Sequence, residues 1–233
     1  MLGYYLEGET LLITKAVERF ATKVTPLLQE SQTDIDRARR WAKQQRKSKD
    51  WPWNRFLHAL ASNGKSAHWD YNIGPRVECG ELRWSAIMRL DSAKRRTLFA
   101  EVTNPRRRKH LRGALDSIFQ RMKLAGGPTG ISREYGVIKS AEDAIKYWKS
   151  FPGIGDKYAR EIPMGSYDPL FRDTFALDAR LRALLKQNFK EQFSYNEGVD
   201  FLQKVARRLN CDCWSLDRFL YEQYDELKQT RRG

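Results

Sequence analysis

Apolar residues recur along this chain at helical spacing, and no stretch shows the alternation of a strand. Across TLLITKAVERFATKVTPLL, residues 10–28, the positions Leu11, Leu12, Ala16, Val17, Phe20, Val24, Leu27 and Leu28 form one stripe. A second, very basic segment, DIDRARRWAKQQRKSK, comes next with Thr33 or Asp34 as its cap. PWNRFLHALAS (52–62) predicts an amphipathic helix with Pro52 in its first turn, stopped by Asn63-Gly64. SAHWDYNIGPRVECGELR (66–83) is turn-rich, and WSAIMRL restores an apolar pattern. TNPRRRKHLRGALDSIFQRM predicts a helix capped by Asn104, with Pro105 first and Arg106, Arg107, Arg108 and Lys109 in its opening turn. AGGPTGIS (125–132) reads as a loop.

The second half continues in the same style. SAEDAIKYWKS predicts a helix in which Ser140 and Asp143 form an acidic capping pair. FPGIG (151–155) is a tight turn, and DKYAREI opens the next helix. A Pro- and Gly-containing loop spans 163–176, Asp178 opens ARLRALLKQ, and NEGVDFLQKVARRL and WSLDRFLYEQYDEL complete the chain. The expected fold is all-α, about ten helices in two lobes flanking a cleft. The expected division is a terminal lobe from residues 1–50 plus 186–233 and a central lobe from 51–185, with a helix-hairpin-helix at 141–163.

Charge changes the picture. The chain carries 43 Lys and Arg against 29 Asp and Glu, a net +14. An excess of that size favours a polyanionic partner, nucleic acid before an anionic membrane. Aromatic residues make up 12% of the chain, seven of them Trp, and rings beside cations suit exposed bases. No run of roughly eighteen apolar residues exists to span a membrane, and a cytoplasmic, nucleoid-associated or nuclear location is expected. The three cysteines, Cys79, Cys211 and Cys213, make neither a disulfide framework nor a four-cysteine metal site, and His58, His68 and His110 form no HExxH. There is no GxxxxGK[ST] loop. No metal and no cofactor are expected.

The chemistry concentrates between FPGIGDK and the helix that Asp178 opens. Gly153 and Gly155 let the chain turn tightly while Ile154 points inward as an anchor. The turn then offers backbone N–H groups at a helix N-terminus, which suits a phosphate oxygen and is indifferent to base sequence. Lys157 sits in the first turn of that helix, and Asp178 stands beyond it with 20 residues intervening, at the start of another. Read from the residues alone, Asp178 serves as a helix cap and Lys157 as a solvated side chain, or the two serve as a chemical pair.

These residues resemble the helix-hairpin-helix DNA glycosylase superfamily, whose hairpin has the form LPGVGxK and is followed by a Gly/Pro-rich loop and an aspartate in a VDxHxxR pattern. Here the corresponding stretches are FPGIGDK, PMGSYDPLFRDT and FALDARLRALL. The resemblance covers residues 50–225 in outline and 145–185 with specificity. It implies Asp178 as the catalytic aspartate and Lys157 as the lysine of members that also cut the backbone. It implies that Gly153, Ile154 and Gly155 grip DNA, and that Asn63, ending FLHALASNG, fills the gap left by an extruded base. The C-terminal iron–sulfur cysteines of endonuclease III are absent, and Arg180 stands where many members have His. The match is therefore to the cluster-free branch that includes the 8-oxoguanine enzymes. It implies a DNA glycosylase with AP lyase activity through a Schiff base, a monomer acting on double-stranded DNA, with an oxidised purine as lead substrate. A monofunctional enzyme for another modified base, phage bases included, and a non-catalytic binding module are the alternatives. Base-pocket candidates are Trp51, Trp53, Trp69, Trp214 and Asp217, with Phe219 and Tyr221 nearby.

Overall fold

The computed structural model describes residues 2–63 and 66–229, with side chains from Leu12 onward. Gly64 of the Asn63-Gly64 stop and the Leu11 side chain lie outside the described residues. Fourteen α-helices, and no strand, occur among them. In chain order they are α1 (Leu2–Glu30), α2 (Gln32–Arg46), α3 (Trp53–Ser62), α4 (Gly74–Glu78), α5 (Trp84–Ile87), α6 (Ser92–Val102), α7 (Ala114–Leu124), α8 (Pro128–Gly136), α9 (Ala141–Lys149), α10 (Asp156–Met164), α11 (Ala179–Asn188), α12 (Tyr195–Arg208), α13 (Cys213–Glu222) and α14 (Tyr224–Gln229). A π-turn (Trp69–Ile73) precedes α4 and a 3₁₀ turn (Pro169–Phe171) precedes α11. None of the described helices is long and apolar enough to cross a membrane.

The chain divides into two compact units: a terminal unit, Met1–Ala42 with Tyr167–Gly233, and a central unit, Lys43–Ser166. The sequence places the borders at 50/51 and 185/186. The observed ones fall inside α2 and just after α10, so residues 167–185, Asp178 included, belong to the terminal unit.

In the terminal unit α1 packs along α12, and α11 against α13 and α14. Phe20 of α1 meets Phe201 of α12, which also stacks on Phe189, and Arg208 grips Glu18 through Nε at 2.8 Å. Ser194 and Glu197 close a full capping box at the start of α12.

The central unit is built on α3, whose Trp53, Phe56, Leu57, Leu60 and Ala61 are all buried. The helices α6, α7 and α10 pack on it, and α9 packs on α10. Ser140 caps α9 as expected, its Oγ accepting from Asp143 N at 3.1 Å.

Two expectations are corrected by the structure, and one helix is unexpected. No helix begins at Asn104: residues 105–113 form turns, and α7 starts at Ala114 after Gly113 at φ 77°. The reason is that Asn104 caps a different helix. Its Nδ2 donates to Ala61 O and its N–H to Leu60 O, satisfying the end of α3, while its Oδ1 accepts from Arg106 N. The loop expected at 125–132 is in part α8, which Pro128 opens as soon as Gly127 has turned the chain at φ 86°. Finally, α6 has no counterpart among the expected helices. It buries only Phe99 and Val102, leaves Leu98 part-exposed and is otherwise charged, polar or small, so it shows no stripe.

Candidate active site

The central unit contributes the turn. Phe151 is buried against Phe56 (4.7 Å between ring centroids) and stacked on Trp148, with the Arg121 guanidinium 3.8 Å above its ring. Ile154 is buried and its N–H reaches back to Phe151 O at 3.2 Å. Anchored at these two points, Pro152, Gly153 and Gly155 are left on the surface. Gly153 has φ 80°, and a β-carbon there would also collide with Leu60 and Leu111. Gly155 is extended and caps α10 with no side-chain hydrogen bond, while a β-carbon on it would meet nothing within 4 Å. Gly155, having no side chain, thus offers no cap of its own to the opening N–H groups of α10, beside an accessible backbone.

Through Gly153 the turn touches Leu60 of α3 and Leu111 of the 105–113 loop. Three segments therefore meet on one unit: the glycine turn, the C-terminus of α3 and a loop whose Arg106, Arg107, Arg108 and Lys109 are all exposed. Asn63 ends α3 there, half-buried. One residue earlier, Ser62 Oγ donates to His58 O and lies 3.1 Å from Tyr158 OH of α10.

Lys157 lies in the first turn of α10, half-buried, and its surroundings hold residues that the sequence reading missed. Its Nζ is 2.8 Å from Oε2 of Glu161, one turn on, and 4.4 Å from the centre of the Tyr158 ring. The other Glu161 oxygen, Oε1, is 3.0 Å from Nδ1 of His58 and 3.6 Å from Nη2 of Arg55, both on α3. Burial alone would push the Glu161 pKa up, but His58, Lys157 and Arg55 outweigh it and hold this carboxyl well below the usual range. Burial pushes His58 below its ordinary value despite the carboxylate beside it, so at neutral pH a neutral imidazole donates its Nδ1–H to Glu161. The i, i+4 spacing of Lys157 and Glu161 is visible in DKYARE; the burial of the glutamate and its two partners from α3 are not.

The terminal unit contributes the aspartate. Asp178 caps α11: its Oδ1 accepts from Arg180 N and Leu181 N, both at 2.9 Å. Both bonds fall on one oxygen, and no hydrogen bond to Oδ2 occurs among the described residues. The extended segment before it is pinned on both sides. Tyr195 OH donates to Phe175 O and accepts from Leu177 N, and Asp217 Oδ1 accepts from Ala176 N at 3.4 Å. Arg180 lies over Tyr221 (4.7 Å) and Tyr224 (5.8 Å). Tyr195 and Tyr224 carry no motif, and periodicity alone gives no reason to single them out.

Lys157 and Asp178 thus stand in different compact units. Among the base-pocket candidates, Trp51 and Trp53 are corrected to core residues. Trp53 is wholly buried between Trp84, Phe99 and Phe119, with its indole N–H donated to Leu82 O at 2.8 Å. Trp51 is enclosed by Tyr135 and Trp148. Trp214 is likewise buried, edge-on to Tyr167, and Phe219 is wholly buried. A ring with both faces covered offers no platform for a base. Trp69 is half-buried, 4.8 Å from the His58 ring, and Asp217 serves the backbone of the Asp178 segment.

The all-helical architecture is similar to that of a DNA glycosylase. The crystal structure of the 8-oxoguanine DNA glycosylase of Thermotoga maritima aligns with this chain at a TM-score of 0.65, over 88% of this chain and 95% of that one, with 14% sequence identity. The chain matches no protein-family profile and no curated protein sequence.

Proposed function

We propose that this protein is a DNA glycosylase that flips a modified base out of the duplex and cleaves its bond to the sugar. The observation that carries the reading is Asp178, a carboxylate oriented by two backbone N–H groups through one oxygen, in a fold similar to that of a known glycosylase. Cleaving the base from C1′ builds positive charge on the sugar, and a fixed carboxylate stabilises that charge without reorganising. The Gly153–Gly155 turn holds backbone phosphate, the exposed 106–109 cations add non-specific attraction, and Asn63 occupies the vacated space in the stack. The lead substrate is an oxidised purine such as 8-oxoguanine, by analogy with the structural neighbour.

In the fuller form of the proposal Lys157 is the nucleophile. The lone pair of its amine bonds to C1′ as the bond from C1′ to the base breaks, and the electron pair of that bond leaves with the base. Loss of the N–H proton and opening of the C1′–O4′ bond, whose electron pair stays on O4′ and takes up a proton, turn the adduct into a Schiff base; removal of a C2′ proton then expels the 3′-phosphate and nicks the strand. A second reading, a monofunctional enzyme in which water attacks, is favoured by the Lys157–Glu161 ion pair, because an ammonium ion has no lone pair to donate.

Base release from duplexes carrying a panel of lesions, read by mass, together with borohydride trapping, tests both. Base release with a trapped adduct that vanishes in Lys157→Ala supports the lyase. Release with no adduct in any variant supports the monofunctional form. Salt-sensitive duplex binding with no base released from any lesion overturns the proposal.

A further inference from the structure

The amine of Lys157 sits in surroundings that favour its charged form from two sides. A carboxylate oxygen, on a side chain only 20% exposed, lies 2.8 Å away, and the face of the Tyr158 ring lies 4.4 Å away. Both attract an ammonium ion more than an amine. The carboxylate is itself fixed from behind: His58 and Arg55 reach its other oxygen from α3. The place of Arg55 is guarded in turn by Gly165, where a β-carbon would stand 2.4 Å from the guanidinium. Glu161 therefore cannot follow the lysine outward without abandoning two partners.

We propose that Glu161 is the positioning residue of Lys157: its carboxylate, braced by His58 and Arg55, fixes the amine at the start of α10 and keeps it an ammonium ion until substrate is engaged. The inference rests on the reading of Lys157 as the attacking amine. The groups facing Glu161 are Lys157 and Tyr158 from its own helix and His58 and Arg55 from α3. At neutral pH His58 is uncharged, leaving Lys157 and Arg55 as the cations that balance the carboxylate. Such an arrangement restrains an amine from reacting with stray electrophiles and makes its activation depend on separating the pair.

The test reads the lysine directly. The protein is reductively methylated with carbon-13 formaldehyde, which preserves lysine charge, and the Lys157 resonance is assigned by its loss in Lys157→Arg and titrated. In Glu161→Gln it should titrate about one pH unit or more below wild type, a tenfold or greater rise in neutral amine at a given pH. Glu161→Asp, which keeps the charge on a shorter arm and guards against a misfolded glutamine variant, should titrate near wild type yet trap less DNA adduct. A Lys157 titration that is the same in wild type and Glu161→Gln overturns the proposal. Borohydride trapping on the same variants separates it from the reading beneath it. A shifted titration with no adduct in any variant keeps the role of Glu161 and discards Lys157 as nucleophile. A shifted titration with the acid limb of trapping moved in step supports both.

Discussion

The Cα of Gly153 lies so close to Leu60 that a β-carbon on it would stand 2.9 Å from Leu60 Cδ2. Two residues on, Gly155 has open space around its own β-carbon position and an ordinary backbone. The fold thus requires a glycine at 153 and not at 155. Gly153→Ala combines a left-handed φ with a clash against packed side chains and should cost about 1–3 kcal/mol in thermal or chemical unfolding. Gly155→Ala should change stability by less than about 0.5 kcal/mol. If the turn holds phosphate, Gly155→Ala should nonetheless weaken duplex binding, measured by fluorescence anisotropy.

Asp178 joins a structural duty to the proposed chemical one, and the two are separable. Asn caps a helix about as well as Asp does but carries no charge. Asp178→Asn should therefore melt near wild type while losing about a hundredfold or more of base release. Asp178→Ala should lose the activity and, in addition, about 1 kcal/mol of stability. Base release that survives Asp178→Asn would remove this residue from the mechanism.

Arg106, Arg107, Arg108 and Lys109 are exposed on a loop held by Asn104 and Leu111. Replacing all four by Gln should leave the fold intact. The slope of log affinity against log salt for duplex DNA should fall by about 0.9 for each phosphate they neutralise. An unchanged slope would place the DNA on another surface.

The Glu161 cluster predicts how stability depends on pH. In the unfolded chain His58 takes a proton near 6.5, whereas in the folded chain burial holds its pKa lower. Between those values the unfolded state binds more protons, so stability falls as pH drops through that window and then levels off. Glu161 acts further down. Its lowered pKa contributes stability above the ordinary glutamate value of 4.5, lost as pH falls through the folded value. Melting temperatures from pH 8 to about 3.5 should show both declines, and His58→Gln should flatten the first. A His58→Gln curve parallel to wild type from about pH 6.5 downward would contradict the assignment.

Legibility in the sequence tracks locality. The helices α9 and α10 and the cap of α11 are readable because Ser140, Gly155 and Asp178 act within four residues of themselves. Asn104 misleads because its side chain serves α3, more than forty residues earlier in the chain. Lys157 and Glu161 can be paired on spacing, yet what makes the pair unusual comes from Arg55 and His58, about a hundred residues away. Trp51 and Trp53 show the same limit from the other side. A tryptophan in a basic chain suits a base or a core equally well, and only the rings around it decide.

The terminal unit is assembled from both ends of the chain, with Phe20 packed on Phe201 and Glu18 on Arg208. During synthesis, then, α1 emerges well before its partner α12, which follows only after the whole central unit has been made. The helix with the longest wait carries an apolar stripe of Val17, Phe20, Ala21 and Val24 that is buried in the finished protein. In the nascent chain that stripe stays exposed until α12 is made, and a circular permutant that moves α1 behind α14 would shorten the exposure to a few tens of residues.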